Sequence, residues 1–273
     1  MLVMDSGLGG ISVVRALRAQ TPEKPLSYLA DTAFFPYGGR SAETLFTRAS
    51  FLITALNQRT STGTVVLACN TLSTLCLSKL RDALPETFVG TVPAIKVAAA
   101  RSRSKRFTML ATPNTAHSGY TKQLIAEFAA GCMVDSIAAP HLAELTETLL
   151  LGNEVKDDVL RAELAPAFHD DAFGKTDAIV LGCTHYPLIV ERLRAGAVPA
   201  ADPERAAERA DEARLVPVAD VEHVRAEAGF HRDAADRHHA RLGVLEQRAG
   251  DRTWPALGQH LDREQGLVAL DRL

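Results

Sequence analysis

The 273-residue sequence lacks the features that carry a chain into or through a membrane. No apolar run approaches the ~18 residues that a membrane span needs. Met1-Leu2-Val3-Met4 runs directly into Asp5, with no basic segment before it. These absences predict a soluble, cytoplasmic protein. Only four cysteines occur (Cys69, Cys76, Cys132 and Cys183), and none is closely paired, which argues against a disulfide framework and fits a reducing compartment. A net charge of −3 provides no electrostatic footprint for nucleic acid or an anionic lipid surface. No C-x-x-C or H-x-x-x-H pattern supports zinc, so no metal site is expected. Neither G-x-G-x-x-G nor a loop ending in G-K-[ST] is present, which removes the two common phosphate-binding fingerprints. No lysine stands in an evident Schiff-base setting.

What the sequence does have is an internal echo. Val65-Val66-Leu67-Ala68-Cys69-Asn70-Thr71 and Ile179-Val180-Leu181-Gly182-Cys183-Thr184-His185 lie 114 positions apart, about one compact domain. Each is a short apolar run delivering a cysteine into small polar residues, as a buried parallel strand delivers its C-terminal end to a site. Either cysteine alone would read as a packed small hydrophobe. Their repetition favours two thiols brought to one place from two similar halves. A thiol is mostly protonated at neutral pH, and nearby helix N-termini or a histidine can shift that balance. One thiolate and one thiol on opposite faces of a substrate carbon form a base and an acid. His185 and Asp5 are natural assistants. A metal site begun by Cys183-Thr184-His185 lacks partners, and a cysteine hydrolase would leave the second thiol unexplained.

Strand, turn and helix alternate along the first 200 residues, which predicts an α/β fold of parallel sheets with flanking helices. Strands are expected at residues 2–4, 26–30, 65–68, 107–111, 134–138 and 179–181. Helices are expected at 11–19, 41–58, 72–84, 95–101, 118–130 and 142–151, with Ser41 as a cap. The expected units are residues 1–95 and 96–200, two similar domains with the active site between them. Asp5-Ser6-Gly7-Leu8-Gly9-Gly10 reads as a structural turn, or as a turn whose backbone N–H groups take an amino acid's carboxylate.

Residues 201–273 differ in composition. They hold 11 Arg, 8 Asp and 7 Glu, and no Lys, Ser, Asn, Ile, Tyr, Met or Cys. Only residues 215–218, 242–245 and 267–270 are apolar enough to bury. The segment is expected to be poorly ordered or atypical, either a divergent Ala/Arg-rich helical tail or the product of a coding-frame change near residues 195–205.

Residues 3–190 resemble the aspartate/glutamate racemase family, and within it the glutamate-specific branch. The resemblance rests on Asp5-Ser6-Gly7 with Gly9-Gly10, Asp31-Thr32 with Pro36-Tyr37-Gly38, Cys69-Asn70-Thr71, residues 140–147 and Gly182-Cys183-Thr184-His185-Tyr186-Pro187. It implies cofactor-independent interconversion of L- and D-glutamate, feeding D-glutamate into peptidoglycan. By motif, Cys69 would deprotonate the D-enantiomer with Asp5 assisting, and Cys183 the L-enantiomer with His185 assisting. Asp5, Ser6, Tyr37, Gly38, Asn70, Thr71, Thr184 and His185 would hold the substrate. Asp31, Thr112, Thr115 and Glu147 would be auxiliary. The resemblance leaves room for a homodimer. In the family the C-terminal segment completes the first domain, and residues 201–273 do not match it. A racemase for aspartate or another small acid, and a non-catalytic protein of the same fold, are the alternatives.

Overall fold

The computed structural model describes residues 1–60, 62–196, 214–216, 260–262 and 267–270. Its first sheet contains β1 (Leu2–Asp5), β2 (Ser27–Asp31), β3 (Thr64–Leu67) and β4 (Thr87–Gly90). Its second contains β5 (Arg106–Ala111), β6 (Met133–Ala138) and β9 (Ala178–Leu181), the short hairpin β7 (Asp170–Asp171) and β8 (Gly174–Lys175) standing apart. Strands β10 (Arg214–Val216), β11 (His260–Asp262) and β12 (Leu267–Leu270) come from beyond residue 200. The helices are α1 (Ile11–Gln20), α2 (Ala42–Thr60), α3 (Asn70–Ala83), α4 (Ile95–Arg101), α5 (Pro113–His117), α6 (Gly119–Phe128), α7 (Leu142–Leu150), α8 (Asp157–Leu164) and α9 (Val190–Gly196).

The strand orders are β11-β12-β2-β1-β3-β4 and β10-β9-β5-β6. With the antiparallel β11–β12 edge removed, both sheets follow one scheme: a first strand flanked by its second and third, with a fourth beyond the third. The pairs within each scheme are parallel. Strand order reverses beside the first strand, so the crevice opens at the carboxyl ends of β1 and β3 in one sheet and β5 and β9 in the other. Both cysteine-bearing strands are the third in their scheme.

Both faces of each sheet are buried, which explains the unbroken apolar runs. In β1, Leu2 and Met4 pack with α2 and α3 through Leu45, Leu52 and Leu72, while Val3 packs with α1 through Val13 and Leu17. In β9, Ile179 and Leu181 face α7 and α8, and Ala178 and Val180 face α4. Caps fix several helix starts. Ser41 Oγ accepts the Thr44 N–H at 3.2 Å, and Ser118 Oγ accepts that of Thr121 at 2.9 Å.

The structure moves several boundaries. α3 starts at Asn70, two residues before the apolar periodicity begins, because Cys69 keeps an extended backbone (φ −76°, ψ 118°) and occupies the N-cap position. α6 stops at Phe128, short of residue 130. Strand β4 and helices α5, α8 and α9 are among the additions to the elements expected from the sequence. Beyond residue 200, β12 pairs antiparallel with β2 and β10 pairs parallel with β9, so the described stretches there extend both sheets. Residues 242–245, and most of the segment expected to be a helical or atypical tail, lie outside the described residues. Among the described residues, no helix is long and apolar enough to cross a membrane.

Leu45 is fully buried where α2 meets the first sheet. Leu45→Ala is expected to lower unfolding free energy by about 2–5 kcal/mol, through lost transfer energy plus an unfilled cavity. Urea titration followed by circular dichroism checks this.

Candidate active site

Cys69 and Cys183 line one cavity between the two sheets. It holds about 10 Å³, room for about one water. Each sulfur arrives by the same device, since the chain leaves a third strand and turns at once. Cys69 caps α3 and therefore sits in the field of a helix N-terminus. Cys183 follows Gly182, whose N–H donates to Leu110 O at 2.7 Å and continues the β5–β9 ladder by one residue. A Cβ on Gly182 would meet that of Ala111, so only glycine lets the strand run this close before the sulfur.

The residues after each cysteine brace the two halves against each other. Asn70 Nδ2 donates to Gly182 O at 2.9 Å, and Thr184 Oγ1 donates to Asp5 Oδ2 at 2.8 Å. Ser12 Oγ adds a bond to Thr184 O at 3.2 Å. The amide of Asn70 is oriented by its bond to Gly182, which leaves Oδ1 buried, without a hydrogen-bond partner, in a residue that lines the cavity.

Of the residues singled out in the sequence, Ser6, Tyr37, Gly38, Asn70, Thr71, Thr112 and His185 all reach the cavity wall. Asp5 and Thr184 do not. Asp5 is fully buried behind Ser6 and accepts the Ser6 N–H at 2.5 Å, the Ser6 hydroxyl at 3.1 Å and the Thr184 hydroxyl. Both stand one layer behind the wall, where the Asp5 carboxylate is engaged by Ser6 and by the Thr184 hydroxyl. Asp31, Thr115 and Glu147 also stand behind the wall. Asp31 accepts from Tyr37, and Thr115 from Thr112 at 3.2 Å. Phe35 and Ala143 line the cavity without any advance signal, since apolar wall residues look like core residues in a sequence.

Glu147 carries the second half's charge to the glycine turn. Its Oε1 receives the Leu8 N–H at 2.7 Å and lies 2.9 Å from His185 Nε2. The other ring nitrogen, Nδ1, lies 3.7 Å from Cys183 Sγ. Gly9 N–H also approaches Nε2, at 3.3 Å, a contact that requires an unprotonated nitrogen and yields to the shorter one with the carboxylate. A Cβ on Gly7 would run into the Glu147 carboxylate, and one on Gly9 into the His185 ring. The glycine turn is therefore a close-approach surface between halves, and the carboxylate its Leu8 N–H takes is that of Glu147.

Burial opposes a charge on His185, but its bonds to Cys183 and Glu147 outweigh that and raise it to about 10. Burial raises the Cys69 thiol well above its ordinary range, and the Asp5 carboxylate adds to the effect. Burial likewise raises Asp5. The two cysteines thus sit in opposite settings: Cys69 is held as a neutral thiol beside an acid, and Cys183 lies beside a protonated imidazole.

Because the folded His185 titrates above its unfolded value of ~6.5, it contributes stability that is complete below that value. That contribution is lost as pH rises through about 10. An NMR titration of His185 should show this high midpoint, and Glu147→Gln should lower it. Gly9→Ala should displace the ring at a cost of about 1–3 kcal/mol, read as a fall in thermal midpoint together with the loss of the high-pH titration.

Relatives confirm the architecture. Residues 11–210 match the Asp/Glu/hydantoin racemase family. A glutamate racemase from Agrobacterium fabrum is 43% identical over 228 residues, covering 82% of this chain and 83% of that protein. The solved Escherichia coli glutamate racemase, in complex with L-glutamate and the activator UDP-MurNAc-Ala, has a TM-score of 0.71 at 35% identity, covering 84% of this chain and 80% of that one. Glutamate racemase from Aquifex pyrophilus has a TM-score of 0.59 at 30% identity, covering 85% and 83%. A match over most of the chain, together with the paired-sheet fold, means that this protein belongs to the Asp/Glu/hydantoin racemase family.

Proposed function

We propose that this protein interconverts L- and D-glutamate without a cofactor, using Cys69 and Cys183 as its two acid–base groups, and so supplies D-glutamate for peptidoglycan in the cytoplasm. The observation that carries the reading is the pair of cysteines at equivalent strand ends, both on one buried cavity, in opposite electrostatic settings.

The chemistry follows from that asymmetry. Starting from L-glutamate, Cys183 as thiolate, facing the protonated His185, takes the Cα proton; the C–H bond breaks and an S–H bond forms. Cys69, held as a thiol by burial and by Asp5, gives its proton to the opposite face. One proton leaves and another arrives, so configuration inverts with no net oxidation. The reverse reaction exchanges the roles. A carbanion without an extended electron sink must be stabilised by preorganised donors in a site closed to water. Buried Asn70 Oδ1 suits the substrate ammonium, which is a donor in need of an acceptor. The hydroxyls of Thr71 and Thr112, 2.9 Å apart, and the backbone at Tyr37–Gly38 suit its carboxylates.

The test is exchange of the Cα proton in D₂O, followed by NMR, for both enantiomers of glutamate and of aspartate. Exchange with L- and D-glutamate, slowed about 10²–10⁴-fold in Cys69→Ser and in Cys183→Ser, is expected. Absence of exchange from folded native protein would refute the activity. Faster exchange with aspartate would refute the substrate.

A further inference from the structure

We infer that Arg48, which does not reach the cavity, positions Tyr37 in the cavity wall by acting through Asp31. The consequence for substrate holding rests on the racemase reading above; the link itself does not.

The three groups form a chain from the surface to the site. Tyr37 is buried in the wall, and its hydroxyl donates to Asp31 Oδ2 at 2.6 Å. Asp31, at the carboxyl end of β2, is fully buried. Arg48, on α2, grips the same carboxylate with both arms of its fork, Nε to Oδ2 at 3.0 Å and Nη2 to Oδ1 at 2.8 Å. A two-pronged guanidinium–carboxylate contact fixes orientation as well as charge. The Arg48 side chain is 19% exposed, and its guanidinium carbon stacks on the Phe34 ring at 4.7 Å. Arg40 stacks on the same ring at 4.7 Å and donates to Phe34 O at 2.6 Å. The loop between β2 and Tyr37 is therefore clamped from α2.

Charge makes the clamp obligatory. A fully buried carboxylate without a cationic partner takes up a proton. Arg48 fixes the orientation of the Asp31 carboxylate, and in that orientation it accepts the Tyr37 hydroxyl. The other ionisable groups acting on Tyr37, Cys69 and Asp5, both disfavour negative charge on its oxygen, so they reinforce its role as donor. Removing the guanidinium leaves a buried carboxylate without its cationic partner, a setting that favours the protonated form, and on this inference the grip on Tyr37 becomes dependent on pH.

The experiment labels the tyrosine Cζ carbons with ¹³C. The chain has four tyrosines, and Tyr37→Phe assigns the relevant signal. In native protein that signal should stay flat between roughly pH 5 and 9, the range buried carboxylates reach. In Arg48→Met it should titrate within that range, and in Arg48→Met/Asp31→Asn it should be flat again, which also removes the buried charge should the single variant fold poorly. Kinetically, Arg48→Met should raise the KM for glutamate on the order of tenfold, the value of one hydrogen bond to a charged group, with kcat little changed and KM climbing further as pH falls. Arg48→Lys should restore most of the loss. A Tyr37 signal that does not move with pH in Arg48→Met, or a fall in kcat with KM unchanged, would overturn the inference. Native protein that turned over no glutamate would instead refute the functional reading, and the carbon titration would still decide the link.

Discussion

The hydrogen bond from Thr184 to Asp5 is the contact on which the site depends. It joins the residue after Cys183 to the carboxylate at the end of the opposite sheet's first strand, and it is buried from solvent. Its counterpart, Asn70 to Gly182, runs the other way, from beyond the end of β3 to the end of β9. Each cysteine is thereby fixed by the half that does not carry it. Separating the halves would dismantle both cysteine environments together, so on the proposed mechanism closure and catalytic competence would be one event.

The electrostatics are unequal although the topology is repeated. Equivalent strand ends hold Cys69 and Cys183, but a buried acid stands near the first and an imidazole near the second. Glu147 maintains that difference by anchoring the His185 ring through Nε2 while bonding the glycine turn of the other half. A symmetric pair of thiols would present two groups with the same proton affinity. The second-half histidine and the first-half aspartate give the two thiols different surroundings, as the proposed pairing of an acid with a base requires.

Much of this was legible in the sequence, for identifiable reasons. Apolar runs ending in Cys69 and Cys183 marked the two third strands, because strands buried on both faces cannot hide their composition. Alternation with helical spacing gave the parallel sheets. The start of α3 was misplaced because Asn70 and Thr71 are polar, and a cap is set by local backbone geometry that periodicity does not register. That Asp5 and Thr184 stand behind the cavity wall was not legible, since a polar residue beside one that lines a cavity looks the same in a sequence whether it faces the cavity or another side chain. Arg48 gave no signal at all. It lies 17 positions from Asp31 on an amphipathic helix, where an arginine ordinarily faces solvent. The tail's short strands at residues 215–216 and 267–270 fell within its few apolar stretches, whereas His260–Asp262 had no such mark.

Both sulfurs are almost wholly withdrawn from water, Cys69 at 5% exposure and Cys183 at 7%. On the proposed two-thiol mechanism, turnover would leave the donor as a thiolate and the acceptor as a thiol, a different protonation isomer from the one that began it. Sulfurs so far from water would exchange protons with it slowly, and the emptied protein would keep a memory of the enantiomer just released. One isomer would be ready for the L-form and the other for the D-form, so resetting between them would be a kinetic step in its own right.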